Sequence, residues 1–390
     1  MSQIAKWTLM HKNVKVANLD IFERSAAIIQ INKTYNKTHA PLGTIVDEEI
    51  DSARLEHWLN KRAIPASRNN IDQILEGLKI QNTRALALKS YGLSLSDQYW
   101  LRPSNEEIIW EKINFFQNDF SLDMGEILFR EKEILLPNVN FYSPDSSADG
   151  WLEKKWIIKD DKRVLIKGAN WLYRQEPFNE KIASDIMEKL EIDHISYDIT
   201  TINDKSYSLC ENFITTDTEL IPAVDIVSNE PQQTGDTRMT HLLRACNNLG
   251  MNNKTVKTKI DQMLVIDYLI GNYDRHWRNF GFIRDANTLE FMGFAPIFDS
   301  GASLWQHHEI IDDNVKSETK FAETLPKQLK LITDLSWYRP IPDDKLREII
   351  LLTLAQHPTM TKERQEKIAE QVVKNGHEIG KLQNKLHKNG

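Results

Sequence analysis

The stretch 267–304 restricts this chain more than any other. An apolar helical segment bearing Met263, Leu264, Val265, Ile266, Leu269 and Ile270 runs into it and ends at Gly271. A polar cluster follows at once: Asn272, Asp274, Arg275, His276, Arg278 and Asn279. Two strand-like runs, 280–283 and 291–298, come next, joined through Asp285, Ala286 and Asn287. The second run closes on Asp299, Ser300 and Gly301. Singly, each of these residues reads as a cap or a turn hydrogen-bonder. The ordered combination is much rarer by chance.

Asp274 and Asn279 stand in the form D-x-x-x-x-N, and Asp299 ends the next hairpin. Phosphoryl transfer needs such parts. One carboxylate orients and deprotonates the attacking hydroxyl, while an amide oxygen and a second carboxylate hold Mg²⁺ on the phosphates. Asp274 is therefore the expected base, and Asn279 and Asp299 the expected metal ligands. His276 and Gly301 are expected to hold these groups in place. Arg275 or Arg278 faces either phosphate or a salt bridge inside the loop.

Upstream, Lys167 ends the apolar run Val164, Leu165, Ile166, where a lysine would neutralise the ATP phosphates. Glu180 opens a helix with Ile182, Ile186, Met187 and Leu190 on one face. It reads either as the partner that fixes Lys167 or as a first-turn charge suited to the helix dipole. A hairpin of strands 151–158 and 163–166 lies just before, placed to cover a nucleotide but equally readable as an ordinary hairpin. In a kinase layout the strand through Cys210, Glu211, Asn212 and Phe213 leads to the segment whose backbone holds adenine.

With 390 residues, 41% of them hydrophobic, the chain suffices for two or three packed units. Its 49 basic against 56 acidic residues leave a net charge of −7, which argues against autonomous nucleic-acid binding. Cys210 and Cys246 make neither a disulfide framework nor a metal-ligand pair, which suits a reducing cytosol. No apolar signal-peptide core opens the chain, and no run approaches the ~18–20 apolar residues of a membrane helix. A soluble, cytoplasmic protein is expected.

Strand-like runs at 6–10, 14–17 and 28–31 precede a helix over 51–62 and another, capped by Asn69 or Asn70, through Leu78. An aromatic-rich block, 92–120, reads as core and docking surface of this N-terminal part. The stretch 137–150 reads as a linker built of turn chemistry. Two antiparallel strands are expected over 195–202 and 206–214. Helical patterns then dominate: 237–249, 256–270, 343–356 and 362–387.

Residues 272–276 with Asn279, followed by 295–301, resemble the HipA-like serine/threonine kinases, toxin-type bacterial kinases distantly related to phosphatidylinositol kinases. The likeness extends upstream through Lys167 and Gly168, Asn179 and Glu180, and Glu211 to Phe213, covering 143–305 well. It implies an α+β, bilobal protein-kinase-like fold with a sheet-rich N-lobe (141–216), an all-helical C-lobe (217–390) and an extra small N-terminal α+β module (1–140). ATP and Mg²⁺ are the implied cofactors. The implied nucleotide-binding residues are Lys167, Glu180, Ser146, Ser147, Gly150, Glu211 and Phe213, with a phosphate loop at 146–150. In such kinases a serine of that loop is autophosphorylated, which ejects the loop and silences the enzyme; Ser146 or Ser147 occupies the comparable place. The implied partners are a protein substrate with a Ser or Thr acceptor and an antitoxin. Two rivals remain: a small-molecule or lipid phosphotransferase, and a non-catalytic nucleotide-binding module in a repressor complex.

Overall fold

The computed structural model describes residues 4–68, 70–129, 133–134, 138–147, 150, 152–169, 173–309, 311–312 and 314–389. The chain opens with strands β1 (Ile4–His11), β2 (Val14–Phe22) and β3 (Ile28–Thr34), a short hairpin β4 (Ile45–Val46) and β5 (Glu49–Ile50), and helices α1 (Ser52–Lys61), α2 (Ile71–Leu78) and α3 (Thr83–Leu88). Strand β6 (Tyr99–Pro103) then joins the first three in an antiparallel sheet of order β3-β2-β1-β6. Both faces of β1 are covered. Leu9 packs with Leu19, Ile21 and the α1 residues Leu55 and Leu59, while Met10 meets Trp100, Trp110 and Phe115. This is why the aromatic block reads as core.

Helix α4 (Asp123–Leu128) leads toward a second antiparallel sheet. Its strands are β7 (Lys154–Lys159), β8 (Lys162–Lys167), β9 (Asp198–Ile202) and β10 (Lys205–Glu211), in the order β7-β8-β10-β9. Helix α5 (Glu176–Lys189) interrupts them and buries Ile182, Ile186 and Met187. Beyond this sheet come β11 (Thr218–Pro222), α6 (Ala223–Ser228), α7 (Arg238–Asn248) and α8 (Asn253–Ile270). Strands β12 (Gly281–Asp285) and β13 (Phe291–Phe294) and helices α9 (Leu325–Leu329), α10 (Asp343–Leu354) and α11 (Lys362–Asn389) complete the described strands and α-helices. The largest core joins α5, α8, α10 and α11 through residues such as Ile186, Leu264, Ile350 and Val372.

The structure corrects three sequence expectations. The half after residue 217 is not all helical: β11, β12 and β13 form a third antiparallel sheet. Strand β11 pairs with β12, Leu220 opposite Ile283, so its partner lies far along the chain and no local pattern announces it. The stretch taken for a linker holds a buried 3₁₀ turn, Pro144–Ser147, and Pro137 lies outside the described residues. The hairpin strand expected from 151 begins at Lys154, and Trp151 also lies outside the described residues. Asn70 does stand at the N-terminus of α2, but in the left-handed region (φ 63°) and with no side-chain cap; Asn69 is not among the described residues.

Candidate active site

Helix α8 delivers the central loop. The Asn252 side chain accepts from Thr255 N at its start, and Gly271 closes it in the left-handed region at φ 64°. A Cβ at Gly271 would lie 3.0 Å from the Trp305 ring, so packing and backbone both favour glycine there. Past Gly271 the chain has no regular structure, and side chains hold it. Asn272 Nδ2 donates to Asp267 Oδ1 (2.7 Å), and Asp274 N donates to Asn272 Oδ1 (3.3 Å). Asn279 Nδ2 donates to Asp274 O at 3.0 Å, so the five-residue spacing closes a loop on itself.

Arg275 is the hub of this loop, and it is fully buried. Its guanidinium pairs with Asp267 (Nη2 to Oδ1 3.0 Å) and donates to Asn279 O (2.8 Å), Ser300 Oγ (3.0 Å) and Phe298 O. One side chain thus ties the end of α8, the loop bearing Asp274 and Asn279, and the segment bearing Asp299. Of the two readings open for Arg275, a salt bridge is the one realised, but its partner Asp267 lies on α8 and not inside the loop. His276 is also engaged within the loop: its Nδ1 accepts from Arg278 N at 3.3 Å.

Lys167 ends β8 opposite Ser208 of β10. Its ammonium pairs with Glu180 of α5 and with Asp299 Oδ1 (2.6 Å). Ser208 Oγ donates to the other oxygen of Glu180. The carboxylate read as either a partner or a dipole charge is therefore a partner. Burial works against the Lys167 charge, yet Asp299 and Glu180 together hold its pKa well above the usual lysine range. Burial pushes the Asp299 carboxyl up, but Lys167, by charge and hydrogen bond, pulls it far below the usual range. Glu180, pushed up by burial and by Asp299 against the pull of Lys167, is the weaker acid of the two. Asp299 itself sits at φ 57°, a conformation costly for a residue with a Cβ.

These groups face one cavity of about 630 Å³, within the range of nucleotide and cofactor clefts. Lys167, Glu180, Glu211, Phe213, Asp274, Asn279, Asp299, Ser147 and Gly150 all line it. Ser146 does not; its Oγ donates to Phe141 O (3.0 Å) and it is wholly buried. Ser147 Oγ donates to Pro144 O (3.3 Å) and to Leu93 O. Ala148 and Asp149 of the expected phosphate loop lie outside the described residues. The Glu211 carboxylate accepts from Lys162 Nζ (2.7 Å). Burial pushes the Asp274 carboxyl up, His276 pulls it down, and Asp299 pushes it up again.

One contributor escaped the sequence reading. Lys154, cross-strand from Lys167, lines the cleft and its charge helps lower Asp299. Only the hairpin register places it there. Asn179 donates to Gly301 O and Ser303 O, both at 2.8 Å, and so anchors the segment after Asp299. Asn179 already belongs to the family likeness; the structure adds the contacts it makes.

A mixed α/β protein with antiparallel sheets, whose cleft gathers Lys167, Glu180, Asp274, Asp299 and Asn279, is kinase-like. The comparisons are narrower. Residues 130–376 match the model of the HipA-like C-terminal domain, and the chain belongs to that family. It is 31% identical over 150 residues to the serine/threonine-protein kinase CtkA of Helicobacter pylori, a match covering 37% of this chain and 46% of that protein. The chain thus spans about half the length of the curated relative it matches. Among solved structures, the HipA of Shewanella oneidensis MR-1, seen with HipB and operator DNA, aligns at a TM-score of 0.62. That alignment has 11% identity and covers 98% of this chain and 99% of the other. The crystal structure of Helicobacter pylori CtkA aligns at a TM-score of 0.46 and 19% identity, over 60% of this chain and 94% of that one.

Proposed function

We propose that this chain is an ATP- and Mg²⁺-dependent serine/threonine protein kinase acting in the cytoplasm. The observation that carries the reading is Lys167 held between Glu180 and Asp299 in the cleft that Asp274 and Asn279 also line. Membership of the HipA-like family and the kinase name of the relative support it. We take 141–216 and 217–390 as two lobes around this cleft, with 1–140 as a separate N-terminal module.

In this mechanism Asp274 accepts the proton of the acceptor Ser or Thr hydroxyl as that oxygen attacks the γ-phosphorus, while the bond from the γ-phosphorus to the β–γ bridging oxygen breaks and ADP leaves. Lys167 supplies positive charge to the phosphates, and Glu180 fixes its ammonium. Asn279 and Asp299 would hold Mg²⁺. Asp299 stays ionised, and the amide nitrogen of Asn279 is spent on Asp274 O, so hard oxygen donors remain. Such a pair fits Mg²⁺, which takes one or two protein ligands and leaves the rest of its shell to phosphates and water. The chemistry it supplies there is charge neutralisation on the phosphate oxygens. The protein's own share is positioning and preorganised charge.

We also propose an antitoxin partner and self-limitation by autophosphorylation at Ser146 or Ser147. Ser147 lines the cleft, and both hydroxyls are spent on backbone carbonyls within a buried turn. A phosphate there, with about −1.5 to −2 charges, does not fit that turn and would displace it. Mass spectrometry after incubation with ATP should find phosphate on one of these serines and loss of activity in the modified fraction. An active, ATP-treated protein with neither serine modified removes this claim. For the main reading, labelled ATP should mark the protein itself or a lysate protein on Ser or Thr. Label found only in a lipid or a small alcohol overturns it.

A further inference from the structure

Residues 211–214 line the cleft, and the chain then turns through 215–218 into β11. The loop 94–98 of the N-terminal part lies along this segment. Asn212 Nδ2 donates to Leu95 O (3.1 Å), and Leu220 N donates to Ser96 O (2.9 Å). Between these two contacts, Gln98 Nε2 donates to both Thr215 O and Thr218 O at 2.8 Å. Gln98 is fully buried. Lys12 Nζ reaches Thr216 O at 3.0 Å from the same side. Loop 94–98 is also part of the cleft itself, because Leu95, Ser96 and Asp97 line its wall.

We propose that Gln98 is a positioning residue for the nucleotide: it fixes the backbone of 211–218 in the form that receives the adenine base. On this view the N-terminal part helps to build the nucleotide site and is not merely appended to it. The inference rests on the ATP-dependent reading above. Backbone groups bind a base well only if they are already ordered, because a ligand that must order a loop loses affinity in doing so. One buried amide nitrogen gathering two carbonyls holds the 215–218 turn closed from behind. Asp274 and Asn279 are held separately, through Arg275 and Asp267, so the chemical step should not depend on Gln98.

The test uses the full chain. In Gln98→Ala the KM for ATP should rise roughly tenfold, the size expected for a lost buried hydrogen bond that leaves its partners unsatisfied. The kcat should stay near wild type, the signature of lost uniform binding. Gln98→Met keeps the volume but removes the donor, and should show the same rise. Arg54 also bridges the N-terminal part to the rest, through Ser228 O at 3.2 Å, but away from 211–218. Arg54→Ala should leave the KM for ATP unchanged. If Gln98→Ala does not fold, Gln98→Met and Lys12→Ala, whose side chain is partly exposed, carry the test, the latter with a smaller rise. Folded Gln98 variants with wild-type KM overturn the proposal, as does an equal rise in Arg54→Ala. Wild-type activity that Asp274→Asn abolishes keeps the kinase reading separate, so unchanged Gln98 kinetics would then count only against the positioning role.

Discussion

In the proposed mechanism Lys167 and Asp274 divide the work of the cleft between charge and proton transfer. Burial raises the Asp274 carboxyl above the ordinary aspartate range of about 4. A base works only when deprotonated, so kcat should fall as pH drops through that raised value. A pH–rate profile should therefore show an acid limb above the range of an exposed aspartate, and a flat profile down to about pH 4 would contradict the assignment. Lys167→Met removes the cation that both Glu180 and Asp299 depend on. Phosphoryl transfer should drop on the order of 10²-fold or more, with a raised KM for ATP, in steady-state kinetics. That Asp274, Asn279 and Asp299 meet at one cleft could be expected from spacing and order alone. Lys154 could not, because its place depends on pairing opposite Lys167.

At the level of elements, Arg275 pins together the end of α8, the loop bearing Asp274 and Asn279, and the segment bearing Asp299. Asp267 and Arg275 are both almost wholly buried, so removing one partner strands the other charge. Arg275→Met should cost about 3–5 kcal/mol in denaturant unfolding. A loss below about 1 kcal/mol would show that the loop is held by other contacts. Helices with a strong apolar period, α8, α10 and α11, were legible in the sequence to within a few residues at most ends, as was the lysine-bearing strand β8. Strand β11 was not legible, because its pairing with β12 spans the intervening helices. The buried turn Pro144–Ser147 was misread for a related reason: Ser, Asp and Pro mark a turn but do not say whether tertiary packing will cover it.

Across the whole molecule, the N-terminal sheet joins the β11–β12 sheet through a buried polar network. His11 Nε2 meets Glu219 Oε2 (3.2 Å), Arg284 Nε donates to Glu219 Oε1 (2.6 Å), and Arg284 Nη2 donates to Tyr99 Oη (3.0 Å). Burial pushes the Glu219 carboxyl up, but His11 and Arg284 together hold it below its ordinary value. A carboxylate depressed in the folded state stabilises at pH above its unfolded pKa of about 4.3, and that stability is lost as pH falls through the folded value. Thermal melting should therefore decline in acid below about pH 4.3. Glu219→Gln should lower the neutral-pH stability by roughly 3–5 kcal/mol, because Arg284 is left buried without its charge partner, and should flatten that acid decline. An unchanged acid profile would show that Glu219 is not the group responsible. These long-range links, like that of Gln98 to the 215–218 turn, had no local signature. The most direct test of the account is γ-phosphate transfer from labelled ATP by wild type and Asp274→Asn, measured beside nucleotide binding. The account predicts transfer to a protein Ser or Thr by wild type and a fall of ~10²–10⁴-fold in the variant with ATP binding kept; equal transfer by both proteins would contradict it.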